Sequence, residues 1–147
     1  MKSLRASMFS LLLLTMVSGT WAADGRILSF EGDVRVNGQQ VTADTVLSRE
    51  DIIVTGADGE IKFVLSDNSI IDMDSGSELA IIDYVYDPED LDSNNSEMDL
   101  LAGTLRYVSG KISKNDPEDI SFTAGGATIG VRGTYISITA CPELGCD

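Results

Sequence analysis

Apolar and polar residues alternate in short runs along most of the chain. Ile61, Phe63 and Leu65 alternate with Glu60 and Lys62, the two-residue period of a strand with one buried face. Ile71 and Met73 repeat it after a turn at Asp67-Asn68-Ser69, and Asp74-Ser75-Gly76-Ser77 leads into the apolar run Leu79 to Ile82. Upstream, Val34 and Val36 run into Asn37-Gly38, a pair that accepts the positive φ angles of a two-residue hairpin turn. Leu105 to Val108 and Ala127 to Ile138 supply further β-formers, and no apolar 3.6-residue period persists past the N-terminus. The pattern predicts an all-β single domain with a turn every eight to ten residues. Such spacing suits a sandwich, a barrel or a short β-solenoid. The polar corners near residues 55–59, 67–69 and 74–77 favour short stacked strands, although no exact repeat marks a solenoid array.

The N-terminus reads differently. Lys2 and Arg5 precede an apolar run from Met8 to Val17, followed by Ser18, Gly19, Thr20 and Ala22. A positive start, a dozen apolar residues and small residues at the junction are the marks of a secretory signal peptide. The run is short of the ~20 residues that span a bilayer, so residues 1–22 are expected to be cleaved and the rest exported to the periplasm or beyond. No cysteine near the junction offers a lipid attachment point, and no later stretch approaches membrane-spanning length.

Charge then narrows the partners. The 147 residues carry a net −14, and losing Lys2 and Arg5 leaves −16, eight basic residues against 24 acidic. That surface repels phosphate backbones and excludes nucleic acid. With no histidine in the chain, serine–histidine and cysteine–histidine catalysis and histidine zinc sites are ruled out. Acids are plentiful, Asp72 and Asp74 among them, but none stands isolated among apolar residues where its proton would be held for catalysis. No enzyme, cofactor or metal is expected.

Two smaller features remain. Cys141 and Cys146 form an even pair suited to an oxidising compartment; they are expected to close a disulfide loop in the tail 140–147, worth about 2 kcal/mol at most. The segment Asp87 to Asp99 is expected to be a solvated acidic loop joining two strands. Asp90, Asp92 and Asn94 have the spacing of the first three ligands of a calcium loop. Asn95 then stands in place of glycine and Leu101 in place of the bidentate glutamate, leaving calcium the weaker reading.

Gly130-Val131-Arg132-Gly133-Thr134-Tyr135-Ile136-Ser137-Ile138, with Ala127 before it, resembles the closing strand of FecR-family domains. Asp51-Ile52-Ile53-Val54-Thr55-Gly56 with Gly59 is similar to that family's "GD-x-I-x-T-G…G" segment. Leu65-Ser66-Asp67-Asn68-Ser69 and Ser77-Glu78-Leu79 resemble its "L-x-D-G-S…S-x-L" run, and Gly103-Thr104-Leu105-Arg106 its glycine-led strand. The likeness covers residues 25–139 in order. Glu50 and Asn68 replace common glycines, and Ala124-Gly125-Gly126 stands where a Thr-Pro turn is usual, which is expected to loosen the approach to the last strand.

The resemblance implies a short-stranded β domain of the envelope with a part in signalling. Iron-siderophore regulators of the family add a cytoplasmic sigma-factor-controlling segment, a membrane helix and a C-terminal receptor-contacting domain. The short stretch before Met8 leaves no room for the first, so a free-standing exported domain is expected, acting on another envelope or secreted protein. A wall- or glycan-associated module is the alternative, with Tyr84 and Tyr86 as its aromatic pair.

The signature segment carries a parity problem. Ile129 and Val131 occupy odd positions, Ile136 and Ile138 even ones, and one uninterrupted strand would send these pairs to opposite faces. A one-residue bulge at Gly133 with positive φ would reconcile them, with Thr134 brought onto the face of Ile136. Arg132 would then sit at the kink, either locking the bulge through exposed carbonyls or a carboxylate, or reaching a ligand.

Overall fold

In the computed structural model the described residues are 23–141. The expected signal peptide, 1–22, and residues 142–147 lie outside them. Twelve strands and one short helix follow in chain order: β1 (Gly25–Glu31), β2 (Val34–Val36), β3 (Gln39–Gln40), β4 (Val46–Leu47), β5 (Ile52–Thr55), β6 (Glu60–Leu65), β7 (Ile70–Met73), β8 (Glu78–Val85), β9 (Asn95–Val108), α1 (Lys111–Asn115), β10 (Ile120–Ala124), β11 (Ala127–Gly130) and β12 (Tyr135–Ala140).

The expected alternation is what builds the sheet. In β6, Ile61, Phe63 and Leu65 are buried, and Phe63↔Ile71 and Ile61↔Met73 face each other across the β6–β7 pair. Asn37 and Gly38, at φ 52° and 79°, make the two-residue turn that sets Val36 opposite Gln39. Asn68, at φ 67°, turns β6 back into β7.

Hydrogen-bonded neighbours run β3-β2-β5-β8-β9-β7-β6-β1-β4. The fourteen-residue β9 is the spine. Along one side its first half pairs with β8 and its second half with β7. Along the other, the first half pairs in parallel with β10, which carries β11, and the second half pairs antiparallel with β12. Every other pairing is antiparallel, so a curled, sandwich-like sheet is observed rather than a solenoid of parallel turns.

One core serves both halves. Ile53, Leu79, Met98 and Phe122 from one meet Phe63, Ile71, Leu105 and Tyr107 from the other, with Ile112 of α1 among them. The Tyr107 and Phe122 rings meet edge to face, centroids 5.2 Å apart. Each fully buried aliphatic chain contributes roughly 1.5–3 kcal/mol, and the ring pair about 1 kcal/mol beyond its area.

The acidic segment departs from expectation. β9 begins at Asn95, so Glu97 and Asp99 lie on a strand, alternating with buried Ser96, Met98 and Leu100. Only the first part of the stretch is loop. Extra residues at Ile82 and Leu101 interrupt the β8–β9 register, and both side chains are exposed.

Candidate functional site

Two buried polar clusters occupy the motif positions. At the first, Asp67 is 1% exposed, in the turn between β6 and β7. Its carboxylate accepts from the Ser69 amide at 3.0 Å, the Ser69 hydroxyl at 2.6 Å, the Tyr84 hydroxyl at 3.2 Å and the Ile112 amide at 3.4 Å. Its amide donates to the Tyr84 hydroxyl and its carbonyl accepts from Lys111. One side chain thus ties the β6–β7 turn to β8 and to the start of α1. Gly110 makes room for it, since a Cβ there would overlap the Asp67 carboxylate. Burial, then the neighbouring Asp67 charge, pushes both the Tyr84 and Tyr107 phenols well above their ordinary range.

The second cluster joins β5, β8 and β9. The Thr55 hydroxyl donates to the Asp74 carbonyl at 2.7 Å and accepts from the Ser77 amide at 2.8 Å. The Ser77 hydroxyl meets the Thr104 backbone from both sides, carbonyl at 3.1 Å and amide at 3.0 Å. Gly103 lies against Ser77 at φ 82°, a left-handed conformation in which a Cβ would also overlap the serine. Nearby, Arg106 grips Asp74 with both guanidinium nitrogens, 2.6 and 2.9 Å, and Lys62 pairs with Asp72 at 3.0 Å.

The signature segment is arranged otherwise, and the expectation of one bulged strand is corrected. Gly130 ends β11 opposite Ser121 of β10, whereas Tyr135 opens β12 opposite Val108 of β9. Between them Val131–Thr134 pass from one partner strand to another, and that change of partner resolves the parity conflict. Val131, 1% exposed, anchors the crossing in the core. Gly133 has the expected positive φ, 159°, which L side chains rarely adopt, but it lies in the crossing rather than in a bulge, with open space where a Cβ would stand. Arg132 meets a carboxylate, but an exposed one. Its Nη2 lies 3.3 Å from Glu118 Oε1 with both side chains 78% exposed. Thr134 lends its carbonyl to the Ser109 amide.

The other candidate residues fare unequally. Asn94 is 4% exposed and turned inward, its Oδ1 accepting from the Asp87 amide at 2.6 Å. Asp90 precedes and Asp92 lies within a single exposed 3-10 turn, Leu91–Ser93, so the trio is not gathered as a ligand set. No cluster of acidic or cysteine side chains able to hold a metal occurs among the described residues. Tyr84 is 2% exposed with its hydroxyl taken by Asp67, which removes it from the aromatic pair; Tyr86 carries Lys111 Nζ 5.9 Å from its ring. The expected Cys141–Cys146 bond falls on Cys146, outside the described residues.

Two of the departures from the family pattern acquire a reason. Glu50 and Asn68, which stand in place of glycine, have φ 69° and 67°, the region glycine occupies without strain. Gly125 and Gly126, at φ 56° and 80°, form a two-residue hairpin joining β10 to β11.

The fold and these corners together define a small all-β domain built on one curled sheet. The family described as FecR protein matches residues 51–142, well over half the chain, and the chain belongs to that family. No curated protein and no solved structure matches it. The match begins just before β5 and takes in both polar clusters and the signature segment. Among the described residues, no helix is long and apolar enough to cross a membrane.

Proposed function

We propose that the chain is an exported, non-catalytic binding domain of the cell envelope that takes part in signalling by engaging another envelope or secreted protein. The observation that carries this reading is a division of labour within the family motifs. Asp67, Ser69, Thr55 and Ser77 spend their polar atoms on one another, on the Tyr84 hydroxyl and on the backbone, which leaves little to hold a substrate. Asp72 and Asp74 are ion-paired on the surface, which disfavours a carboxylate pair poised for hydrolysis. The signature segment, by contrast, presents Arg132, Gly133, Thr134, Tyr135 and Ser137 to solvent beside a sheet edge. Loops and edges on a rigid β scaffold are where binding residues concentrate.

Crosslinking in intact cells followed by recovery of the full chain tests the proposal. Capture of one defined membrane or secreted protein supports it; capture of wall fragments alone replaces it with the glycan-associated alternative. Intact mass of the exported form tests the remaining features: a start at Ala23 and a mass ~2 Da below the dithiol value are expected.

A further inference from the structure

We propose that the outer edge of β12 is a strand-addition site, taking an extended segment of a partner protein that is uncharged where it pairs and carries Lys or Arg at its flank. This rests on the reading of the chain as a binding domain. Sheet edges are templates for another backbone, and proteins usually guard them by shortness, charge, proline or bulges. Most free edges here are guarded. β3 and β4 are two residues each, and the stretch of β1 beyond β4 carries a register break at Leu28 and ends on Glu31. β11 is four residues long. β12, Tyr-Ile-Ser-Ile-Thr-Ala, has no charge, no proline and no bulge, and among the described residues it pairs with β9 alone.

The phase of the ladder says which groups are free. The Ser109 amide donates to the Thr134 carbonyl, next to the pair Tyr135↔Val108. Antiparallel alternation then directs the N–H and C=O groups of Ile136 and Ile138 to β9, and those of Tyr135, Ser137 and Thr139 outward. All three of those residues are exposed. Beside the edge lies a groove of about 520 Å³ lined by Ile136, Ile120, Thr128 and Glu118. The alternate side chains of an added strand would enter it.

Charge selects the occupant. Glu118 lines the groove, its neighbour Asp119 feels the charges of Asp116, Asp92 and Glu118, and among the described residues Arg132 is the counter-charge paired with Glu118. A basic flank complements that rim, whereas a second copy at −14 is repelled by it. Backbone pairing supplies affinity and the groove supplies side-chain selection, as in other strand-addition complexes.

The test uses the full exported chain and a synthetic peptide of alternating threonine and valine flanked by lysines. Saturable binding is expected, with slowed hydrogen exchange at the amides of Tyr135, Ser137 and Thr139. Backbone N-methylation of the peptide should abolish binding, and glutamate flanks should weaken it roughly tenfold or more at low salt. Ser137→Pro removes one outward N–H without touching the β9 ladder, so it should abolish binding while melting within about 4 °C of the parent. No binding of the lysine-flanked peptide, or binding that leaves these amides unchanged, overturns the proposal. So does protection of them in the free chain, whether by residues 142–147 in a monomer or by a second copy in a dimer seen by sedimentation. If Ser137→Pro captures the same crosslinked partner as the parent, the binding-domain reading stands and the edge proposal falls.

Discussion

Asp67 and Arg132 both belong to segments that resemble family motifs, yet their surroundings are opposite. Asp67 is 1% exposed, its carboxylate shared among Ser69, Tyr84 and α1. Among the described residues Arg132 pairs with Glu118, at 3.3 Å, with both side chains in solvent. Removing the first strands buried donors; removing the second leaves water to replace one weak ion pair. Resemblance to a motif therefore does not tell what a residue does. Burial and partner count do.

Substitutions at these positions should separate the regions by size of effect. Asp67→Ala should cost about 3 kcal/mol or more in urea unfolding, because several buried donors lose their acceptor together. A loss below about 1 kcal/mol would mean that the β6–β7 turn, β8 and α1 are not held by this residue. Gly103→Ala should cost roughly 2–3 kcal/mol, from the left-handed backbone and from overlap with Ser77. Glu50→Gly should move the other way. It relieves a non-glycine residue at φ 69° and should raise stability by about 1 kcal/mol, read as a higher melting temperature. Arg132→Ala should change stability by less than about 0.5 kcal/mol. A loss as large as that of Asp67→Ala would erase the contrast.

Much of the scaffold was legible because it rests on local chemistry. The alternation at Ile61, Phe63 and Leu65 and the Asn37-Gly38 turn appear as expected, each needing only neighbouring residues to specify it. The β9 spine was harder to see. Glu97 and Asp99 made the stretch look like a solvated loop, although they alternate with Met98 and Leu100 as a strand with one polar face should. α1 is five residues and too short to show a period. The signature segment raised a real parity conflict at Ile129 and Ile136, but two resolutions satisfy it. A bulge keeps one partner strand and a crossing exchanges it, and only long-range pairing chooses between them. The roles of Asp67 and Ser77 were hidden for the same reason: apart from Ser69, the partners of their side chains lie 17 to 45 residues away.

The central claim is that buried motif residues hold the fold while the end of the signature segment is left open at a sheet edge. Native-state hydrogen exchange of the full chain, without ligand, addresses both halves at once. The amides of Ser69, Lys111 and Ile112 around Asp67 should exchange only through global unfolding, with the full stability of the domain as their protection. The amides of Tyr135, Ser137 and Thr139 should exchange orders of magnitude faster, whereas Ile136 and Ile138 between them stay protected by β9. Uniform protection along β12, or rapid exchange around Asp67, would contradict the account.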